Sequence, residues 1–177
     1  MSILDTYTSN ADKITPYIWL GNYESSRDKN FLKKNNIEVI INCTKNADFT
    51  DVESPKTKKM SKCSMYRYRV PVEDDLTQTE INSMIGFLEK IVPYIHHHVS
   101  HKRNILIHCM AGMQRSAIVC YCYLCTHKFP NDHGKAFSLM RAKRPIVFSP
   151  AMNFEHSYKE YFKRLNLNPR LPKKINK

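Results

Sequence analysis

The chain has 177 residues, of which 42% are hydrophobic and 25% charged, and its 28 lysines and arginines against 16 acidic residues give a formal net charge of +12. This length and composition predict one globular domain and exclude a disordered or fibrous protein. No run of eighteen apolar residues occurs, so no transmembrane helix is expected. The polar start lacks an apolar signal core, which predicts an intracellular protein, cytoplasmic or nuclear, that is not secreted.

The positive charge is unevenly distributed along the sequence. Positions 56–69 and 163–177 each contain six lysines and arginines and no acidic residue, so together they account for the whole charge of +12. Basic stretches attract phosphorylated or acidic partners and nucleic acid. We expect both stretches to dock acidic partners, with nucleic acid as the less favoured alternative. The oligomeric state does not follow from the sequence.

Three of the six cysteines, Cys120, Cys122 and Cys125, lie in the apolar run SAIVCYCYLC. Cysteine is a common small residue of hydrophobic cores, and no second Cys/His pair has the spacing of zinc ligands. The sequence therefore predicts reduced, buried cysteines and no metal site.

The first half of the chain predicts three strands. A short strand at 17–20 ends in a turn, a weak helix follows at 25–34, and the β-branched run at 37–42 is typical of a buried strand. The polar segment 44–62 has no periodicity and predicts a long basic loop. A third strand is expected at 65–72.

A long amphipathic helix follows these strands. Thr77 or Thr79 can cap its first turn, and Glu80 would complete a capping box with Thr77. Apolar residues at helical spacing predict one buried face, and Pro93 weakens the last turn before the histidines that end the helix.

The second half alternates in the same way. It predicts a strand at 104–108, a helix at 116–126, a helix capped by Asn131 or Asp132, and a last helix opened by Pro150. Alternating strands and helices predict an α/β fold with a central, mostly parallel, twisted sheet flanked by helices.

Chemistry is concentrated between the strand at 104–108 and the following helix, in the segment His-Cys-Met-Ala-Gly-Met-Gln-Arg-Ser at 108–116. A loop of this length directs backbone N–H groups into one concavity, and the helix adds its positive dipole end, so an anion can bind there. Arg115 can hold two phosphate oxygens. Cys109 would have its thiolate stabilised, which makes it a nucleophile for a bound phosphate.

The pattern His-Cys-x5-Arg-Ser, with Ala-Gly at its centre, resembles the signature of the dual-specificity protein phosphatases, a branch of the cysteine-dependent phosphatases. The resemblance extends from about Ile14 to Phe162 and implies a single-domain tyrosine-phosphatase-like fold. It implies an N-terminal extension at 1–13, a catalytic domain at 14–165 and a basic tail at 166–177. Further similar segments are Ile18–Asn22, Val39–Thr44, Val70–Asp75, Arg144–Ile146 and Ser149–Pro150.

The resemblance also implies a role for each site residue. Cys109 would attack phosphorus, Arg115 and the backbone amides of Met110, Ala111, Gly112, Met113 and Gln114 would bind the phosphate, and Asp74 would act as general acid and base. Ser116 would hydrogen-bond the thiolate, and His108 would orient the loop and support the thiolate. No metal or cofactor is needed.

Several alternatives stay open at this point. Asp75 could replace Asp74 as the general acid, and Ser116 could be an ordinary residue of the helix. Cys43 could pack in the sheet or act as a resolving partner for oxidised Cys109. Gln114 and Ala151 depart from the family pattern, and Ala151 puts one hydrogen bond that supports the loop in question.

The sequence thus predicts a phosphatase for phosphotyrosine and phosphoserine or phosphothreonine in proteins. One alternative is an RNA 5′-triphosphatase with a similar cysteine loop, which usually has Asn and Thr where this chain has Gln114 and Ser116. The other is a non-catalytic phosphoprotein-binding scaffold, which usually lacks the Cys or the Arg.

Overall fold

The computed structural model describes residues 6–50, 65–130 and 132–167. Five strands form one sheet in the order β1-β2-β5-β3-β4, in which only the β1–β2 pair is antiparallel. The mostly parallel sheet predicted from the sequence is confirmed. The strands are β1 (Ala11–Thr15), β2 (Ile18–Gly21), β3 (Ile37–Asn42), β4 (Tyr66–Arg69) and β5 (Asn104–His108).

Helices pack on both sides of this sheet. The predicted helix at 25–34 is two short helices, because Asp28 ends the first and caps the second by accepting hydrogen bonds from the amides of Asn30 and Phe31. The helices are α1 (Tyr23–Arg27), α2 (Lys29–Lys34), α3 (Gln78–Ser100), α4 (Arg115–Tyr123, continued by a π-helical turn at Leu124–Lys128), α5 (His133–Lys143) and α6 (Glu155–Leu167).

The register of the parallel strands brings their carboxyl ends to one edge of the sheet. His108 at the end of β5 lies opposite Gly21 of β2 and Asn42 of β3. Binding sites of α/β proteins form at this edge, because the loops that follow parallel strands meet there. The segment at 108–116 lies at the centre of it.

The predicted start of the last helix is wrong. Pro150 does not open it, and α6 begins at Glu155. The reason is local: the Asn153 amide, which a helix opened at Pro150 would direct to the Ser149 carbonyl, donates instead to Gln114 Oε1, and the Gln114 Nε2 donates to the carbonyls of Ser149 and Ala151.

The structure also bears on the predicted cap of the helix after position 130, on the cysteines and on the basic segments. Asp132 caps α5 through the Lys135 amide, whereas Asn131 lies outside the described residues. Cys120, Cys122 and Cys125 are buried in α4 and its π-helical continuation, as predicted, and Cys43 and Cys109 are buried as well. Most of the loop at 44–62 and of the tail lies outside the described ranges. In the part of the chain that the structure describes, no helix is long and apolar enough to cross a membrane.

Candidate active site

The loop at 109–115, here called the phosphate loop, connects β5 to α4. Its carbonyl oxygens accept hydrogen bonds from the surrounding scaffold at 2.8–3.1 Å, which turns them outward. Because C=O and N–H point in opposite directions across a planar peptide, the loop amides face the concavity. The donors are Tyr23 N to Met110, Arg144 Nη2 to Ala111, Arg144 Nε to Gly112, Phe148 N to Met113 and Ile118 N to Gln114.

Arg144 supports the phosphate loop from behind. Its side chain is 1% exposed, and besides two loop carbonyls it binds the Asp12 carboxylate at 2.6 Å and the Ser9 carbonyl at 3.2 Å. The pairing with Asp12 compensates the buried charge. The sequence identifies Arg144 only as part of a family-like segment. Its supporting role does not follow from local spacing, because Asp12 lies 132 positions and the two loop residues 32 and 33 positions away along the chain.

Gly112 permits the sharp turn of the loop. Its φ is 68°, and a Cβ at this position would lie 2.5 Å from the Gly21 carbonyl oxygen. Both the backbone conformation and the space therefore require glycine.

Substitution of this glycine tests the built geometry of the loop. We expect Gly112→Ala to lower the free energy of unfolding by about 2–4 kcal/mol, from backbone strain and overpacking together. Gly86→Ala is the control, since a Cβ there meets nothing within 4 Å inside α3. It should stabilise by about 0.5–1 kcal/mol. Urea denaturation of both variants measures these changes, and equal stability of the two would contradict the assignment.

Cys109 lies at the start of the phosphate loop. Its sulfur accepts hydrogen bonds from the Gly112 amide and from the Ser116 hydroxyl, both at 3.2 Å, and the residue is 2% exposed. Two hydrogen-bond donors are thus aimed at this one sulfur. The structure therefore brings Cys109 and Ser116 into the contact that the sequence pattern predicts.

Arg115 is anchored by one edge of its guanidinium. Nη1 donates to the Val72 carbonyl at 3.1 Å and to the Glu73 carboxylate at 3.2 Å. Nε is buried and makes no hydrogen bond to any described residue. A buried donor without a partner is costly, so this edge is ready for an anion such as a phosphate oxygen. The anchoring by Glu73 was not foreseen from the sequence.

The two neighbouring aspartates have different environments. Asp75 accepts hydrogen bonds from the backbone N and the hydroxyl of Thr77, both at 3.0 Å. The hydrogen bond from the Thr77 backbone amide lowers the pKa of Asp75. Asp74 Oδ2 lies 4.0 Å from Arg115 Nε, and Oδ1 accepts a hydrogen bond from Asn153 at 2.9 Å. Asp75 thus serves the turn, and Asp74 faces the arginine of the phosphate loop.

Glu80 holds the segment that carries Asp74. Its buried carboxylate accepts a hydrogen bond from the Glu73 amide at 2.9 Å and pairs with the Lys45 ammonium group. The Lys45 contact, followed by the Glu73 amide, lowers the pKa of Glu80. The predicted capping box is therefore only half formed: Thr77 caps the Glu80 amide, but the Glu80 carboxylate binds elsewhere.

His108 lies directly behind Cys109 and is completely buried. Burial lowers the pKa of His108 to about 4, the adjacent Cys109 backbone opposes this only partly, and the charge of Arg69 adds to the lowering. Neither ring nitrogen has a hydrogen-bond partner among the described residues. The imidazole is neutral at physiological pH, so His108 places no full positive charge next to Cys109.

Gln114 replaces the short polar residue of the family pattern and uses its length. Nε2 donates to the carbonyls of Ala151 at 2.8 Å and Ser149 at 3.3 Å, and Oε1 accepts from the Asn153 amide at 3.1 Å. These bonds tie the phosphate loop to the segment before α6. The support that Ala151 put in question is supplied by Gln114 itself.

Cys43 is the other thiol near the site. It follows β3, is fully buried, and its amide donates to the His108 carbonyl at 2.8 Å. Burial, reinforced by the nearby Cys109, raises the pKa of the Cys43 thiol. Cys43 is therefore an uncharged core residue near Cys109.

Comparison with known proteins identifies the class to which this site belongs. The family model described as dual specificity phosphatase, catalytic domain, matches residues 18–164. The chain is 25% identical over 156 residues to human dual specificity protein phosphatase 8 and 30% identical over 152 residues to Drosophila melanogaster dual specificity protein phosphatase Mpk3. These alignments cover 88% and 86% of this chain, but only 22% and 34% of the relatives.

Solved structures show the same fold. The crystal structure of human DUSP28 matches with a TM-score of 0.73 at 21% identity, covering 90% of this chain and 97% of that one. A mouse putative dual specificity phosphatase complexed with zinc tungstate matches with a TM-score of 0.72 at 21% identity, covering 91% of each. The chain belongs to the dual specificity phosphatase catalytic-domain family.

Proposed function

We propose that this chain is a protein phosphatase that hydrolyses phosphotyrosine and phosphoserine or phosphothreonine through a phosphocysteine intermediate. The observation that carries the proposal is the Cys109 sulfur, which accepts hydrogen bonds from two donors in an amide-lined loop. The same loop contains Arg115, whose Nε has no hydrogen-bond partner among the described residues. The family of the chain and the names of its relatives support the same activity.

The first chemical step transfers the phosphoryl group to the protein. The Cys109 thiolate attacks phosphorus, the S–P bond forms and the bond from phosphorus to the leaving oxygen breaks. The leaving oxygen takes its proton from the Asp74 carboxylic acid. Arg115 and the amides at 110–115 bind the equatorial oxygens, whose charge is spread in the transition state.

The second step releases phosphate. Asp74, now a carboxylate, takes a proton from a water molecule that attacks phosphorus, and the S–P bond breaks. The thiolate leaves with the Ser116 hydroxyl at hydrogen-bond distance, which stabilises its negative charge. His108, as a neutral side chain behind Cys109, would keep the loop in place. Every step uses residues of this chain and water.

Substrate choice decides between this proposal and its rivals. Purified protein should hydrolyse phosphotyrosine and phosphothreonine peptides in the presence of a chelator, and triphosphorylated RNA far more slowly. A strong preference for the RNA would establish a 5′-triphosphatase instead. Tight peptide binding with no hydrolysis at all would establish a phosphoprotein-binding scaffold.

The basic stretches at 56–69 and 163–177 are proposed to dock acidic segments of an intracellular protein substrate. The second stretch consists mostly of the tail at 166–177, which follows the 14–165 catalytic domain. Residues 51–64 and 168–177 lie outside the described ranges. Support comes from their charge, because the rest of the chain is formally neutral.

Neutralising the first stretch tests docking. Changing Lys56, Lys58 and Lys59 to Gln should lower kcat/KM on an acidic phosphopeptide about 5–20-fold at low salt, because three positive charges that attract the peptide are removed together. Hydrolysis of para-nitrophenyl phosphate should stay unchanged. The control changes the exposed Lys29, Lys33 and Lys34 of α2 to Gln. Equal losses in both triple variants, or on both substrates, would refute docking at 56–69.

A further inference from the structure

We propose that Asn153 is a positioning residue that fixes the orientation of the Asp74 carboxyl group, so that Oδ2 is the oxygen that gives its proton to the leaving group. This inference rests on the proposed function, because it concerns the general acid of that reaction. The Asn153 side-chain amide donates to Asp74 Oδ1 at 2.9 Å, across 79 positions of sequence.

The contacts of Asp74 distinguish its two oxygens. Oδ1 accepts the Asn153 hydrogen bond, whereas Oδ2 lies 4.0 Å from Nε of Arg115, which has no hydrogen-bond partner among the described residues. An oxygen that carries a proton is the poorer acceptor, so the amide donor at Oδ1 favours the proton on Oδ2. Oδ2 is also the oxygen closer to the arginine that would bind the phosphate.

Asn153 is itself held by the phosphate loop. Its backbone amide donates to Gln114 Oε1 at 3.1 Å, and Gln114, which is 6% exposed, makes two further bonds to the same segment. The next residue, Phe154, is buried in the core at 1% exposure. A residue whose backbone is fixed on both sides can hold a partner side chain in one geometry.

The network therefore connects the residue before Arg115 to the general acid through two side chains. It also explains two sequence features together. The first feature is Gln114, whose side chain is long enough to reach the 149–153 segment. The second is the position of the asparagine: the family pattern often has Asn where this chain has Ala151, and this chain has Asn at 153 instead. In this chain the side-chain amide is placed where it contacts Asp74.

Removing the side-chain donor should act through the general acid. We expect Asn153→Leu, which keeps the volume and loses the amide, to lower kcat about 10–100-fold on phenyl phosphate, part of the 10²–10⁴-fold that a general acid contributes. On an aryl phosphate with a strongly acidic leaving group, which needs little protonation, kcat should change less than about 3-fold. The affinity for vanadate, which occupies the phosphate site, should stay unchanged.

The ratio of the two rates is the decisive readout. A variant that is partly unfolded loses activity on both substrates equally, so the ratio is insensitive to stability. In an Asp74→Asn background, Asn153→Leu should have no further effect on that ratio, because the group it positions is absent. Asn30→Leu, at an exposed asparagine of α2, is the matched control and should leave the ratio as in the parent.

Different results would refute the positioning role of Asn153 and the proposed phosphatase function. Equal losses on both substrates for Asn153→Leu, or an undiminished change of the ratio in the Asp74→Asn background, would refute the positioning role while the phosphatase activity stands. A parent protein that hydrolyses neither substrate would refute the proposed function instead.

Discussion

Replacing Cys109 with serine is expected to lower the hydrolysis of aryl phosphates by at least about 10⁴-fold while the protein still binds its phosphorylated ligand. A serine hydroxyl is un-ionised at neutral pH, and the two groups that hydrogen-bond the Cys109 sulfur among the described residues, the Gly112 amide and the Ser116 hydroxyl, are donors and not general bases. The amide-lined loop is unchanged by the substitution, so phosphate binding remains. Steady-state kinetics and calorimetric titration with a phosphopeptide measure the two properties.

Cys43→Ala is the matched control for this variant. Cys43 is as buried as Cys109, and its backbone amide donates a hydrogen bond to the carbonyl of His108, the residue before Cys109. It has no part in the proposed chemistry. Its turnover should remain within about 3-fold of the parent, since the loss of one buried sulfur affects packing more than reactivity. Parental activity in Cys109→Ser would exclude the phosphocysteine mechanism.

Replacing Asp74 with alanine is expected to lower kcat on phosphotyrosine peptides by about 10²–10⁴-fold, because the leaving oxygen then departs without a proton donor. Asp75→Ala, one position away, should lower kcat less than about 5-fold, because its carboxylate binds Thr77 in the turn that opens α3. The kcat of each variant is measured as a function of pH. The reverse order of losses would move the general acid to Asp75.

The central strands could be predicted because their environment leaves a clear pattern. β3 and β5 are buried along nearly their whole length and contain the apolar runs at 39–41 and 105–107, and these two predicted strands coincide with the observed ones. β1 could not be predicted, since it lies at the edge of the sheet and contains Asp12 and Lys13. An edge strand needs little hydrophobicity, and its position follows from pairing with β2.

The residues of the candidate site also fall into those that the sequence predicts and those that it does not. Cys109, Arg115 and Ser116 lie within eight positions, so their spacing alone brings them together at a strand-to-helix loop. The contacts of Glu73, Asn153 and Arg144 join distant segments, and nothing in local spacing indicates them. The one available signal for Asn153 was the pair of departures at 114 and 151, which become interpretable only once both segments are in contact.

The most direct test of the proposed mechanism is to trap the covalent intermediate. The Asp74→Asn variant, mixed with an aryl phosphate that has a strongly acidic leaving group, should form phosphocysteine and lose it slowly, because the attacking water has no base. After rapid quenching and proteolysis, mass spectrometry should find one phosphoryl group on the peptide that contains Cys109, and none when Cys109→Ser is added. Phosphate on another residue, or steady turnover without any phosphorylated peptide, would contradict the mechanism.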